Sequence, residues 1–258
     1  MSRLFRFALP LVIGLLVPAA AARATVVEFT TPLGNFQIQL LDAIAPNTVA
    51  NFLQYVNTGL YQNAAIHRAA GTPDGQGGLI PFVLQGGGFY PLPDGELSVP
   101  NVPILHDQPW NNPVLKNEFT GTKNVVGTIA MALAGSNIDS GTNQWFINLN
   151  NNSALLDPQK FTVFGTVIGN GMDVVNALSN LQTFDFSGGN PNSPFSTVPF
   201  LPTYTPEMYL AGENPVEADW VTFSVHVVPE PTSVAMALGG MGLVGGAAWR
   251  RRRRRQTC

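Results

Sequence analysis

Val26-Val27-Glu28-Phe29-Thr30, Pro32-Leu33-Gly34 and Phe36-Gln37-Ile38-Gln39-Leu40 read in succession as strand, turn and strand, because apolar and polar residues alternate on both sides of a Pro/Gly break. This start predicts an antiparallel hairpin. From Pro46 the period changes, with Val49, Phe52, Leu53 and Val56 at i, i+3, i+4 and i+7 before Gly59. That spacing predicts an amphipathic helix with Pro in its first turn and Gly just past its end. Further strands are expected over residues 124–132, 144–149, 161–168 and 220–227, and a second helix over 171–178. Many short strands with two short helices point to a mainly β closed barrel with helical caps. Residues 70–78 and 184–218 are rich in Gly, Pro, Asn and Ser without clear period, and are read as surface loops rather than a second domain.

Length and composition fit one folded domain once the ends are set aside: 258 residues, 45% hydrophobic and 11% charged. At the N-terminus Arg3 and Arg6 precede an apolar run over residues 7–17, and small residues follow up to Ala24. This is the plan of a secretory signal peptide over residues 1–24, cut after Ala22-Arg23-Ala24; the alternative, an uncleaved anchor, needs a longer apolar run. At the other end Pro229-Glu230-Pro231 is followed by eighteen charge-free residues, 232–249, and then six arginines, 250–255. A helix through them would be about 27 Å long, enough to cross a hydrocarbon core with its arginines on the cytoplasmic side. The order of motif, apolar helix and basic cluster over residues 229–258 resembles a bacterial PEP-CTERM sorting signal. That resemblance implies recognition and cutting by an exosortase, with membrane attachment before processing; a plain tail anchor is the alternative.

Between these ends, residues 25–228 hold fifteen Asp and Glu against Arg68, Lys116, Lys123 and Lys160, so the overall net charge of −3 conceals an acidic body. Such a body repels nucleic acid. Arg68 is its only arginine, and the one cysteine, Cys258, lies in the tail, so no disulfide or thiol site is expected in the domain. His67, His106 and His226 are too scattered to bind a metal together. Gly240-Met241-Gly242-Leu243-Val244-Gly245 formally matches a dinucleotide fingerprint but lies in the apolar tail with no strand before it. No metal and no cofactor are expected.

A series of further motifs falls in one order along the body. Ala45-Pro46-Asn47-Thr48-Val49-Ala50-Asn51-Phe52, Gly59-Leu60-Tyr61, Ile66-His67-Arg68 and Phe82-Val83-Leu84-Gln85-Gly86-Gly87 come first. Gly127-Thr128-Ile129-Ala130-Met131-Ala132, Thr142-Asn143-Gln144-Trp145-Phe146-Ile147, Leu155-Leu156-Asp157 and Val163-Phe164-Gly165 follow. The set resembles the cyclophilin-type peptidyl-prolyl cis-trans isomerases. It implies an eight-stranded antiparallel barrel capped by two helices over residues 25–228, and isomerisation of Xaa-Pro bonds in exported, unfolded proteins or proline-containing peptides. It also implies Arg68 as the catalytic donor. Phe82, Val83, Phe146, Leu156 and Phe161 would line the proline pocket, Gln85 and Gln144 would hold the substrate backbone, and Ala132 and Leu133 would border the groove. His67 is read as structural.

The chain departs from the family pattern at Val83, where methionine is common, at Leu133 for asparagine, at Leu155 for an aromatic, and at Phe161 for histidine or tyrosine. From Arg68 to Phe82 it also runs fourteen positions where the family has a short Ile-Pro-Gly link. The alternative these departures favour is a non-catalytic peptide-binding or surface-matrix module on the same barrel. The periplasm, cell surface or extracellular matrix is the expected location in either case.

Overall fold

In the computed structural model, residues 24–76, 78–91, 115–190 and 193–229 are described. The signal peptide over 1–24, all but its last residue, the sorting segment beyond Pro229, and His106 lie outside them. The opening hairpin is β1 (Val26–Thr31) and β2 (Gly34–Leu40), paired Val27 to Ile38 and Phe29 to Phe36. Then come α1 (Pro46–Asn57), β3 (Ala64–Pro73), β4 (Leu79–Gly86), β5 (Thr128–Met131), β6 (Trp145–Asn148), α2 (Ser153–Leu156), β7 (Val163–Ile168) and α3 (Gly171–Ser179). The last elements are β8 (Thr183–Phe184), β9 (Val198–Pro199), α4 (Pro206–Leu210) and β10 (Thr222–Val227). Eight of the strands close a barrel in the order β1-β10-β3-β4-β6-β5-β7-β2, every pair antiparallel.

Alternation decides what fills the barrel. Val27, Phe29, Phe36, Ile38 and Leu40 of the first hairpin point inward with Ile66, Leu84, Ile129, Trp145, Ile147, Phe164, Phe223 and Val225. Phe29 stacks on Phe36 with ring centroids 4.8 Å apart and meets Trp145 edge to face at 5.2 Å. The two longer helices lie where the periodicity places them, and α1 buries Val49, Phe52 and Val56. Its first turn has no side-chain cap of its own, since Ala45 stands at the cap position. Glu118 supplies one from 70 residues away, accepting from the Thr48 amide at 2.7 Å and the Asn47 amide at 3.1 Å. A carboxylate there satisfies orphan amides and opposes the positive end of the helix dipole.

Two expectations are corrected. Residues 70–78 are not a surface loop: β3 runs on to Pro73 and β4 resumes at Leu79, with Ala70 opposite Val83 and Thr72 opposite Ile80. Only the tip is a turn, where the Asp74 carboxylate accepts from the amides of Gln76 and Gly78 at 2.7 and 2.8 Å. Ala, Gly and Thr side chains carry too little apolar contrast for the alternation to be read. Residues 184–218 are not one unpatterned loop either. They hold β8, β9 and α4, and close over a second apolar cluster of Phe184, Val198, Phe200 and Tyr204 with Ala65 and Trp220. Its aromatic residues stand singly in a Pro- and Gly-rich stretch, so no period announces them.

Candidate active site

Barrel closure leaves an apolar patch on the outer face of β3 to β7, separate from the core. Ala70, Val83, Ala130, Phe146, Leu156 and Val163 are buried there, with Phe82, Ala132 and Phe161 packed against them. Above this patch opens a groove of about 610 Å³, within the range usual for ligand sites. Arg68, Phe82, Val83, Gln85, Ala132, Leu133, Gln144, Phe146, Leu156 and Phe161 all line it, so residues spread from 68 to 161 in sequence meet in one place. Phe146 and Phe161 stand edge to face, centroids 5.3 Å apart at 81°, and form two walls of an apolar slot. Leu155, in contrast, is exposed and takes no part in the lining.

The hairpin extension does not separate the two halves of the site, because Arg68 lies directly opposite Gln85 in the β3–β4 pairing. The register shifts between Ile66 and Arg68, and this irregularity sets His67 beside Phe89 while Arg68 lines the groove. The guanidinium donates to Gln85 Oε1 at 3.3 Å, and Gln85 Nε2 donates to Gln144 Oε1 at 3.0 Å. No carboxylate among the described residues pairs with Arg68, so its other N–H groups are available at the groove. Burial lowers its pKa from the ordinary arginine value. After Gln85 the chain must turn away beneath Trp145. Gly87 does this at φ +93°, where a Cβ would come 2.4 Å from the Asn143 carbonyl oxygen.

A buried polar chain missed in the sequence fixes the opposite rim. Asp157 accepts from the Asn124 amide and side chain, both at 3.0 Å, Asn148 donates to Asn124 Oδ1 at 3.2 Å, and Asn152 donates to Asn148 Oδ1 at 2.9 Å. Asn152 also donates to the Phe82 carbonyl at 2.8 Å, so the network ties α2, which carries Leu156, to the strand that carries Phe82. Burial alone would raise the Asp157 pKa, but the bonds from Asn124 and the Lys123 ammonium at 3.1 Å hold it below the ordinary carboxylate value. The expected strand over residues 144–149 ends within the run Asn148-Leu149-Asn150-Asn151-Asn152, and nothing in that run says which amides are buried. Thr142, Ser140, Ser193, Pro194 and Ser196 also line the groove without having been anticipated.

The family model for cyclophilin type peptidyl-prolyl cis-trans isomerase/CLD matches residues 26–198, and that for the PEP-CTERM protein-sorting motif matches residues 227–254. The chain is 36% identical over 188 residues to peptidyl-prolyl cis-trans isomerase A of Dickeya dadantii, covering 71% of this chain and 83% of that protein. It is 35% identical over 192 residues to a peptidyl-prolyl cis-trans isomerase of Acinetobacter baylyi, covering 73% and 89%. Among solved structures, a Cryptosporidium parvum cyclophilin type peptidyl-prolyl cis-trans isomerase shares the fold with a TM-score of 0.50 at 17% identity, over 81% of this chain and 99% of that one. With a closed eight-stranded barrel, the ordered motifs and these relatives, the chain belongs to the cyclophilin-type peptidyl-prolyl cis-trans isomerase family and carries a PEP-CTERM protein-sorting motif behind the barrel.

Proposed function

We propose that this isomerase acts on Xaa-Pro bonds of exported proteins and assists their folding, with Arg68 as the catalytic donor. The observation that carries the reading is the convergence of Arg68, free of any described carboxylate, with the apolar slot of Phe82, Val83, Phe146, Leu156 and Phe161. Rotation about an Xaa-Pro bond is opposed by roughly 18–20 kcal/mol because the nitrogen lone pair is delocalised into the carbonyl. No covalent bond is broken, so the catalyst has only to bind the twisted amide more tightly than the planar one. The slot holds the proline ring. The guanidinium, permanently charged and rigid, follows the amide as conjugation is lost, and Gln85 keeps it aimed. Gln144 with Gln85 holds the neighbouring substrate backbone, and Ala132 and Leu133 border the groove.

Exchange spectroscopy on an Ala-Ala-Pro-Phe peptide with the purified protein tests the activity directly: cis and trans signals exchange faster with enzyme, or the reading fails. Phe146→Leu keeps the slot apolar but removes the ring that meets Phe161. It is expected to raise KM about tenfold, the cost of roughly 1.4 kcal/mol of lost packing. Export rests on residues 1–24 as a signal peptide and on the sorting motif. The intact mass of protein from the native host is expected to lack residues 1–24 and the arginine cluster. A species that retains residues 250–255 would instead identify the tail as an anchor.

A further inference from the structure

One wall of the groove comes from outside the ordered motifs. Ser193, Pro194 and Ser196 line it together with Arg68, and they belong to the segment between β8 and β9. This wall is fastened from two sides. The Ala69 amide, next in chain to Arg68, donates to the Thr197 carbonyl at 2.9 Å, so the segment runs alongside β3. Phe195 packs its ring on Phe89, centroids 4.7 Å apart, and on His67 at 6.3 Å. Behind it the Phe186 amide donates to the Phe195 carbonyl at 2.8 Å, and Phe186 packs on Phe200 of the second cluster. A segment with its own packed core, bonded to the strand that carries Arg68, has a defined position relative to the proline slot.

We infer that residues 193–196 are a specificity wall that reads the size of the residue flanking the proline on the β3 side, admitting small side chains and excluding bulky ones. This rests on the isomerase reading of the groove. The wall acts by shape: it presents two hydroxyls and one pyrrolidine ring, and a pyrrolidine ring has little freedom to move aside. A residue beside the proline on this side lies between Pro194 and the Arg68–Gln85 pair, which the hydrogen bond to Gln85 and the strand pairing hold in place. Steric discrimination in such a slot reaches about tenfold for a small change in side-chain size.

The test uses the full-length protein and two peptide series around one proline, with Gly, Ala, Leu or Trp placed either directly before or directly after it. Exchange spectroscopy gives kcat/KM and NMR titration gives Kd. Wild type is expected to favour Ala over Trp at one of the two positions by about tenfold or more. Pro194→Gly, which trims the wall, and Phe195→Ala, which loosens its anchor, are both expected to bring that ratio toward one. Pro194→Gly leaves the Phe195 contacts in place and so keeps the test usable if Phe195→Ala fails to fold. A wild type without size preference at either position, or a Pro194→Gly ratio equal to wild type in a folded protein, overturns the wall. A wild type that discriminates in Kd but accelerates no exchange overturns the isomerase reading and leaves the wall standing.

Discussion

Arg68→Ala is expected to lower kcat by about 10² to 10³ with little change in KM, because it removes a donor whose bond strengthens only as the amide twists. The fold should survive. Arg68 is half-buried at a groove, outside the barrel core, and the one described hydrogen bond of its guanidinium is to another side chain, Gln85 at 3.3 Å. Arg68→Lys should restore little of the rate, since an ammonium offers a single charged point where the guanidinium offers a planar fork. Gln85→Ala leaves the charge but removes its partner, so it is expected to lower kcat by less than Arg68→Ala. Exchange rates and circular dichroism on each purified variant check these outcomes. A folded Arg68→Ala with near-normal turnover would sink the proposed role. If wild type binds the peptides but accelerates nothing, the non-catalytic peptide-binding module replaces the enzyme reading.

The groove residues were legible through the resemblance, because most of them sit in short motifs that follow the family's order, with Leu133 and Phe161 standing just outside such motifs. Gly87 must be glycine where the strand passes the Asn143 carbonyl, and Phe146 must be apolar where β6 faces Phe161. The opening hairpin and α1 were legible for a different reason, since each has one wet and one dry face and therefore a clean period. What escaped was structure held by partners distant in sequence. Residues 69–73 are a strand only because residues 79–84 lie opposite them, and Ala, Gly and Thr leave no trace of that pairing in composition. The cap that starts α1 comes from Glu118, and the polar chain beneath the slot joins residues 124, 148, 152 and 157. Residues 193–196 reach the groove because Phe195 finds Phe89 and His67, a meeting of three rings that no local window contains.

His67 is expected to make the domain acid-sensitive in a window that can be named. Its ring is fully buried between Phe89 and Phe195, and neither nitrogen has a hydrogen-bond partner. Burial drives its pKa down to about 3; the nearby Ala65 carbonyl offsets part of that although it lies outside hydrogen-bond geometry, and the Arg68 charge adds to the lowering. In the unfolded chain the same imidazole titrates near 6.5. Between these two values the unfolded state binds a proton that the native state refuses, so stability falls as pH falls. The contribution is complete above about pH 6.5 and is lost progressively down to pH 3, at roughly 1.4 kcal/mol per pH unit. Urea unfolding at pH 7 and at pH 4.5 is therefore expected to differ by about 2 to 3 kcal/mol on account of this one residue. Carboxylates titrate mainly below that interval. His67→Leu replaces the imidazole with an apolar side chain that keeps contact with the two phenyl rings, and should remove most of the difference while leaving stability at pH 7 within about 1.5 kcal/mol of wild type. If the variant shows the same loss between pH 6.5 and 4.5, the acid sensitivity lies elsewhere. If it abolishes the loss, the wall of residues 193–196, which rests on His67 through Phe195, is expected to hold its position beside Arg68 further into the acid range than it does in wild type.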